Sequence, residues 1–231
     1  MCVTFVKKGN PMRIIIINGS PRLNGFTAAI LHGMEEALRG KNADVEYYDL
    51  SELSISQCQG CCGCYTTGHC HINDDAEMFS ERIAKADGVI LGSPTYASNV
   101  SGHMKTFIDR GHFVIEQLLK DKYCVTIATG ENYGNKDAAK VLNKLIQYSG
   151  GRLVKSLAVK ATFNEFDKND AAMLGKKTAG RFYSAISGAK KYPGQAIFHG
   201  IIFSLGIKPF VMKKGKRYKS VTEKWKEIGI L

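Results

Sequence analysis

Short apolar runs alternate along the chain with segments whose apolar residues recur at helical spacing. The first run, Arg13 to Asn18 (RIIIIN), is apolar without alternation, which predicts a strand buried on both faces of a parallel sheet. Behind it, Phe26, Ile30 and Met34 recur at helical spacing and predict a helix over residues 25–39. Further strands are predicted over residues 44–49, 87–92, 123–129 and 152–159, and further helices over 75–85, 102–110, 136–148 and 169–187. Five strands that alternate with helices predict an α/β fold with a doubly wound, five-stranded parallel sheet.

Positive charge is concentrated at the end of the chain. The protein has 231 residues and a formal net charge of +11. Residues 190–231 contain ten Lys and Arg against two Glu, a net +8 for this segment alone. This uneven distribution argues against a uniformly basic nucleic-acid-binding domain. We therefore divide the chain into a domain over residues 1–189 and a basic, apolar C-terminal extension over residues 190–231.

The extension contains an apolar segment over residues 196–212, interrupted by His199, Lys208 and Pro209. It is shorter than the roughly 20 residues that a bilayer span needs, so we expect no transmembrane helix. An apolar segment outside the main core needs burial, which favours packing against another subunit in a dimer or tetramer. Docking of an acidic electron carrier and attachment to an anionic membrane surface are the alternatives. The first 12 residues show no signal-peptide pattern, so the expected compartment is the cytoplasm.

The loop after the first strand has the composition of an anion site. Residues 19–27 (GSPRLNGFT) lead into the start of the first helix, where free backbone amides favour a bound phosphate. Hydroxyl and amide side chains, one arginine and a glycine that permits close approach are candidates to hold it: Ser20, Arg22, Asn24, Gly25 and Thr27. The dinucleotide pattern G-x-G-x-x-G and the nucleoside-triphosphate pattern G-x-x-x-x-G-K-S/T are both absent. The alternative is an ordinary helix start capped by Ser20 or Asn24.

Polar loops also follow the third and fourth predicted strands. The first of them (residues 92–102) contains Thr95, Tyr96, Asn99 and Ser101, and the second (residues 129–135) is TGENYGN. In an open parallel sheet, ligands bind at the carboxyl ends of the strands. Tyr96 can pack beside a flat ring while its polar neighbours bond the heteroatoms. Three such loops at one edge indicate a ligand site.

These motifs carry a resemblance to a known family. The segments GSPRLNGFTA, GSPTYASNVSGHMKTFIDR and ATGENYG, within residues 12–159, resemble the NAD(P)H-dependent FMN reductase branch of the flavodoxin-like proteins. The resemblance implies a flavodoxin-like three-layer α/β/α sandwich that holds FMN at the carboxyl edge of its sheet. It assigns the FMN phosphate to the first loop through Ser20, Arg22, Asn24 and Thr27, and it counts Gly25 and Phe26 of the same loop among the cofactor-binding residues. It assigns the ring and ribityl chain to Pro94, Thr95, Tyr96 and Asn99 on one side and to Thr129, Gly130 and Gly134 on the other.

Five of the seven cysteines are crowded into residues 58–70. Cys58, Cys61, Cys64 and Cys70 keep the spacing C-x2-C-x2-C-x5-C, which suits ligands of an iron–sulfur cluster. Zinc fits this spacing less well, because zinc sites usually use two separated cysteine pairs. A C-x-x-C thiol redox pair would leave two cysteines unexplained. Cys62 is adjacent to Cys61 and points in another direction, so we expect it not to be a ligand.

The cysteine spacing and the continuation towards Asp74 and Asp75 also resemble the iron–sulfur flavoproteins of the same flavodoxin-like group. That resemblance implies a 4Fe-4S cluster on this insertion. The alternative is a loop of reduced thiols, for example at a subunit interface. His69 and His71 flank Cys70, and we expect them to be solvated loop residues.

The predicted function is that of an FMN-dependent oxidoreductase. By the resemblance, NAD(P)H delivers hydride to the flavin, and electrons then pass to the 4Fe-4S cluster or directly to an acceptor. Hydride transfer needs stacking and orientation more than an acid or base, so no catalytic residue is assigned. The basic surface favours an acidic, ferredoxin-like partner. The alternative is a flavodoxin-type electron carrier that turns over no nicotinamide.

Overall fold

A computed structural model describes residues 11–162 and 167–231. The expectation that no export signal is present falls mainly on residues 1–10, which lie outside the described residues. The strands are β1 (Arg13–Asn18), β2 (Asp44–Asp49), β3 (Gly88–Tyr96), β4 (Asn99–Val100), β5 (Tyr123–Gly130) and β6 (Arg152–Lys160). The helices are α1 (Phe26–Arg39), α2 (Gly63–Thr67), α3 (Glu77–Lys85), α4 (Gly102–Arg110), α5 (Phe113–Glu116), α6 (Asn135–Tyr148), α7 (Lys168–Ser187), α8 (Pro193–Ile202), α9 (Lys208–Lys214) and α10 (Lys219–Glu227).

Five strands form one parallel sheet in the order β2-β1-β3-β5-β6. Numbered among the parallel strands alone, this is the order 2-1-3-4-5 of a flavodoxin-like doubly wound fold. Ile14, Ile15, Ile16 and Ile17 of the central strand β1 are at most 1% exposed, because helices cover both of its faces. Helices α1 and α7 pack on one face and α3 to α6 on the other. The predicted three-layer sandwich is confirmed.

The third strand is longer than predicted and adds a sixth, very short strand. β3 continues past Gly92 to Tyr96, and β4 returns antiparallel to it through Ala97 and Ser98, both in the left-handed region. Pro94, which lacks a backbone N–H, is tolerated because β1 has already ended opposite Gly92. The hairpin therefore projects the end of β3 beyond β1, while β5 stays paired with β3 as far as Pro94.

The C-terminal extension is helical and folds back onto the domain. Phe203–Ile207 forms a π-helical turn between α8 and α9, and Gly215–Tyr218 a 3-10 turn before α10. The side-chain amide of Gln195 accepts a hydrogen bond from Leu153 N (2.8 Å) and donates one to Leu153 O (3.0 Å). Gln195 thus bonds the backbone N–H and C=O of Leu153 at the outer edge of β6, as a neighbouring strand would.

A third hydrophobic core lies between the extension and the cysteine-rich segment. It contains Phe203, Ile207, Val211, Tyr218, Val221 and Trp225, with Tyr65 of α2 packed against it. Pro193–Glu227 is, among the described residues, the one helical stretch long and apolar enough to cross a membrane, and 17% of its apolar window is buried. This helical stretch of 35 residues is longer than the apolar segment over residues 196–212. The prediction that the extension is too short to span a membrane therefore no longer holds.

Candidate functional site

The loop between β1 and α1 leaves the start of the helix open. Gly25, with extended backbone, is the residue before α1, and no side chain caps the first-turn amides. Ser20 is instead engaged with Arg22, since its Oγ accepts from Arg22 N and donates to Arg22 O, both at 3.1 Å. Asn24 is exposed. The alternative of a helix start capped by Ser20 or Asn24 is therefore wrong, and the amides remain available to an anion.

Three loops at the carboxyl ends of the strands enclose a cleft of about 220 Å³. Ten residues expected at the site line it, namely Ser20, Arg22, Gly25, Phe26, Thr27, Pro94, Thr95, Tyr96, Thr129 and Gly130. Thr27 Oγ1 and Thr129 Oγ1 lie 2.7 Å apart and share a hydrogen bond, which ties α1 to the end of β5. Thr95 Oγ1 is buried and has no partner within the described residues. A bound ligand would supply the missing partner.

The loops are held together by Ser101, the residue before α4. Its Oγ accepts from Met104 N (3.1 Å) and donates to Gly19 O (2.5 Å), while its own N donates to Ser93 Oγ (2.9 Å). One buried hydroxyl therefore caps a helix and joins two of the cleft-forming loops. Because these bonds are internal to the protein, the cleft exists without a ligand.

Three residues expected at the site do not line the cleft. Asn24 points to solvent, and Asn99 sits on β4, where its Oδ1 accepts from Val100 N at 2.8 Å. Gly134 has a φ of +82° and packs against the hairpin, since a Cβ there would lie 2.7 Å from Ser98 Cα. The cleft lining therefore leaves out these three predicted residues.

Sequence reasoning missed three residues that do line the cleft: Glu131, Ala161 and Thr162. The last two follow β6, and Ala161 N donates to Gly130 O at 2.9 Å, which brings the end of the fifth parallel strand to the cleft. The position of residues 161 and 162 after a predicted strand is the signal that could have found them.

A second cleft of about 420 Å³ adjoins the first and shares Tyr96 with it. It is lined by Pro21, Leu50, Leu53, Ile55, Gln57, Gly102, His103 and Thr106 as well. Tyr96 is 44% exposed and separates the two spaces. Gln57 immediately precedes Cys58, so this second cleft lies between the first cleft and the cysteine-rich segment.

The cysteine loop, residues 56–74, has little regular structure. Its only helix is the single turn α2, and Gly60, Cys62 and Gly68 adopt left-handed backbone. Cys58, Cys61 and Cys62 are exposed, Cys64 and Cys70 are half-buried, and all five are free thiols. In the part of the chain that the structure describes, no three His, Cys, Asp or Glu side chains are grouped closely enough to hold a metal ion.

Each of the loop's histidines has a protein partner. His69 Nδ1 lies 2.7 Å from Glu77 Oε1, although the His69 side chain is 78% exposed. His71 Nδ1 lies 3.5 Å from Cys61 Sγ. Two further sulfur atoms contact the backbone of Gly60: Cys62 Sγ donates to Gly60 O (3.5 Å), and Cys58 Sγ accepts from Gly60 N (3.4 Å). Both histidines are nevertheless exposed, in agreement with the expectation of solvated loop residues.

The comparisons agree with this geometry. Residues 12–165 match the family model described as NADPH-dependent FMN reductase. The chain is 37% identical to an iron–sulfur flavoprotein of Clostridioides difficile (strain 630), over 95% of this chain and 100% of that protein. A solved flavone reductase structure (TM-score 0.55, 16% identity) covers 74% of this chain and 63% of its own. Oxidised flavodoxin 1 from Bacillus cereus (TM-score 0.51, 16% identity) covers 74% of this chain and 97% of its own.

Proposed function

We propose that this chain, which belongs to the NADPH-dependent FMN reductase family and is an FMN-dependent oxidoreductase, draws its electrons from NAD(P)H and passes them on through a 4Fe-4S cluster in the cysteine loop. The observation that carries the proposal is the juxtaposition of two centres. The first cleft, with the uncapped amides of α1, lies at the strand ends. The second cleft adjoins it and is lined by Gln57, and the loop of free thiols begins at the next residue, Cys58.

The cleft residues fit FMN. The uncapped amides of α1 and the Arg22 guanidinium suit a phosphate. The buried, unpartnered Thr95 hydroxyl suits a hydrogen bond to the ribityl chain or the ring. Gly130 lines the cleft with backbone alone, so no side chain at this position fills it. Bound FMN accepts a hydride and gives up electrons one at a time, and the protein's part is to hold and orient it.

The adjoining cleft supports the use of a nicotinamide nucleotide. Its apolar lining of Leu50, Leu53 and Ile55 and its shared Tyr96 offer a surface for a flat ring next to the flavin cleft. His103 and Gln57 supply polar groups at its edge. Because Tyr96 lines both clefts, a ring bound in the second cleft would lie next to a ring bound in the first.

The cysteine loop fits the cluster by the chemistry of its donors. Cys58, Cys61, Cys64 and Cys70 are unpaired thiols in a segment without regular hydrogen bonding, which can adjust around a metal centre. Cys62 is left out of the proposed ligand set because it falls outside the C-x2-C-x2-C-x5-C spacing that the other four cysteines keep. Free thiols also agree with a reducing compartment, and we propose the cytoplasm.

A homo-oligomer is proposed from the exposed side of the extension. Its apolar stripe comprises Ile197, Phe198, Ile201, Leu205 and Met212, which are between 44% and 79% exposed. A second copy would bury this stripe, and the basic residues beyond it would stay available for an acidic, ferredoxin-like electron carrier. Light scattering of Leu205→Lys should show a smaller oligomer than that of Met173→Lys, a matched change at an exposed site on α7. Oligomers of equal size in the two variants would count against the apolar stripe as the contact between subunits.

Steady-state oxidation of NADH and NADPH by anaerobically purified, FMN-loaded protein tests the enzymatic proposal. Turnover with one or both nucleotides is expected, with a stable artificial acceptor present. A protein that binds FMN but oxidises neither nucleotide would be a flavodoxin-type carrier instead.

A further inference from the structure

A buried side-chain amide stands at the start of the loop that leads from β1 into α1. Asn18 is the last residue of β1, is 0% exposed and lines neither of the two clefts. Its Oδ1 accepts a hydrogen bond from Ser20 N at 3.0 Å. Its Nδ2 donates to Oδ1 of Asp49, the last residue of β2, at 2.7 Å. The two ends of one amide therefore join the start of the loop to the neighbouring strand.

Asp49 sets which end of the Asn18 amide faces the loop. The oxygen and nitrogen ends of an asparagine amide have nearly the same shape, so packing alone does not distinguish them. An ionised carboxylate only accepts hydrogen bonds, so it takes the Nδ2 end and leaves the Oδ1 end to Ser20 N. With the amide reversed, Nδ2 would face the N–H of Ser20 and Oδ1 would face the carboxylate, and both bonds would be lost.

The bond from Ser20 N is one of several that use up the backbone amides of the loop within the protein. Ser20 Oγ accepts from Arg22 N and donates to Arg22 O, both at 3.1 Å, and Gly25 N donates to Arg22 O at 3.0 Å. Gly19 N donates to Gly92 O at 2.7 Å. Hydrogen bonds within the protein therefore engage the amides of Gly19, Ser20, Arg22 and Gly25. They leave the start of α1, which no side chain caps, to bind the phosphate.

The charge of Asp49 and its hydrogen bond to Asn18 have opposite effects on a nearby phosphate. Asp49 is half-buried and stands opposite Asn18 in the register of β1 and β2. Its negative charge repels an anion bound at the adjacent loop. Its bond to the Asn18 amide, by contrast, holds the loop in the conformation that receives the anion, and a charged acceptor makes that bond about twice as strong as a neutral one. Substitutions at residue 49 can therefore separate the two effects.

We propose that Asn18 and Asp49 are positioning residues for the FMN phosphate and thereby set the preference of the cleft for FMN over riboflavin, the same flavin without its phosphate. The inference rests on the proposed binding of the phosphate at the start of α1. Because neither residue lines the cleft, both act through the Ser20 end of the loop. Riboflavin makes no phosphate contact, so its affinity should not depend on this pair.

The test is titration of FMN and of riboflavin into flavin-free, full-length wild type, Asn18→Ala, Asp49→Ala and Asp49→Asn. The matched control is Asn143→Ala, which removes another side-chain amide that uses both of its ends. Asn143 Oδ1 accepts from Thr126 Oγ1 at 2.6 Å and its Nδ2 donates to Ser156 Oγ at 3.0 Å, but Asn143 does not line the cleft. Denaturant unfolding of each variant measures any general loss of stability separately.

FMN affinity is expected to fall about tenfold in Asn18→Ala and in Asp49→Ala, while riboflavin affinity stays at the wild-type value. Asp49→Asn should bind FMN more tightly than Asp49→Ala, because its amide oxygen still accepts from Asn18 Nδ2. Asn143→Ala should bind both flavins like the wild type. If Asn18→Ala fails to fold, the two variants of the half-buried Asp49 decide the matter alone.

An unchanged ratio of FMN to riboflavin affinity in Asn18→Ala and Asp49→Ala would overturn the inference. FMN affinities at or above the wild-type value in both Asp49 variants would overturn it too, since Asp49 would then act only through its charge. A wild type that binds FMN no better than riboflavin refutes the proposed phosphate site itself, and this inference falls with it. Failure of the same protein to oxidise NADH or NADPH, or to take up iron, would refute the proposed function but would leave these affinities as evidence.

Discussion

The flavin cleft and the cysteine loop are neighbours, but they are held in different ways. The cleft is built on strand ends of a rigid parallel sheet, and bonds such as those of Ser101 join its loops directly. Residues 56–74 of the cysteine loop contain no strand. It depends on Arg110 from α4 and on the C-terminal extension, through Thr66 Oγ1 to Arg217 O (2.7 Å) and Tyr65 stacked on Tyr218 at 4.7 Å. The cleft is therefore fixed by hydrogen bonds between loops that the sheet carries, whereas the cysteine loop is fixed by its contacts with α4 and the C-terminal extension.

The largest expected effect comes from removing the centre of the third core. Trp225 is fully buried, and its Nε1 donates to Ile115 O at 3.0 Å. Trp225→Ala should cost about 3–5 kcal/mol. Hydrogen exchange should speed up in α2 and α10 while FMN remains bound. Leu205→Ala, at a 79% exposed site of the same extension, should leave the exchange unchanged. Unaltered exchange of the cysteine loop in Trp225→Ala would mean that the extension does not support it.

Breaking the ion pair between Arg110 and Asp74, which holds the cysteine loop, should have the next largest effect on stability. The side chains of Arg110 and Asp74 are 1% and 6% exposed, and Asp74→Asn leaves a buried cation without its partner. The cost should be about 3 kcal/mol at neutral pH, against at most about 1 kcal/mol for Asp109→Asn in the exposed pair with Lys105. Denaturant unfolding of both variants measures the difference.

The ion pair between Asp74 and Arg110 should also make the stability of the protein depend on pH in the acid range. Burial opposes ionisation, but Arg110 and the amides of Ser56 and Ala76 hold the pKa of Asp74 below its ordinary value. The stabilisation is thus complete above the unfolded-state pKa, near 4, and is lost as pH falls through the lower folded-state pKa. The gap between wild type and Asp74→Asn should narrow in that acid range. A gap that stays constant would show that the carboxylate charge is not what stabilises the loop.

On the other side of the comparison, Arg22→Ala should weaken FMN binding without unfolding the domain. Loss of a charge-assisted bond to phosphate should cost about 1.5–3 kcal/mol of binding free energy. Titration of FMN into apoprotein measures it, with Arg181→Ala as the control for loss of surface charge. An unchanged affinity would remove the first loop from the phosphate site.

The smallest effect is expected from Thr95→Val. The hydroxyl is buried without a protein partner, so its removal should not destabilise the apoprotein. If it bonds FMN, affinity should fall by about 0.5–1.5 kcal/mol. Lower stability with unchanged affinity would indicate instead a partner within the protein.

The two regions also differ in how far the sequence predicts them. The run RIIIIN and the loop GSPRLNGFT predict the first strand, the turn and the open helix start, because each depends on neighbours in sequence. Three predicted site residues, Asn24, Asn99 and Gly134, do not line the cleft. Asn99 bonds its neighbour Val100 instead, and Gly134 packs against Ser98.

The long-range contacts of the cysteine loop could not be predicted. Tyr65 packs edge-on against His112 (5.7 Å between ring centroids) and stacks on Tyr218 (4.7 Å), and both contacts join segments separated by dozens of residues. No local spacing or propensity encodes such contacts, and they arise only when the extension packs. The apolar residues of the extension indicated that it must be buried, but they did not indicate that it would pack against the cysteine-rich segment.

The most direct test of the account is iron, sulfide and FMN analysis of anaerobically reconstituted wild type, Cys64→Ser and Cys62→Ser. We expect about four irons per chain in the wild type and in Cys62→Ser, and a loss of iron with full FMN content in Cys64→Ser. Such a result would show a cluster in the cysteine loop that is separate from the flavin cleft. A wild type that binds FMN but no iron, or a Cys62→Ser variant that loses iron like Cys64→Ser, would contradict the account.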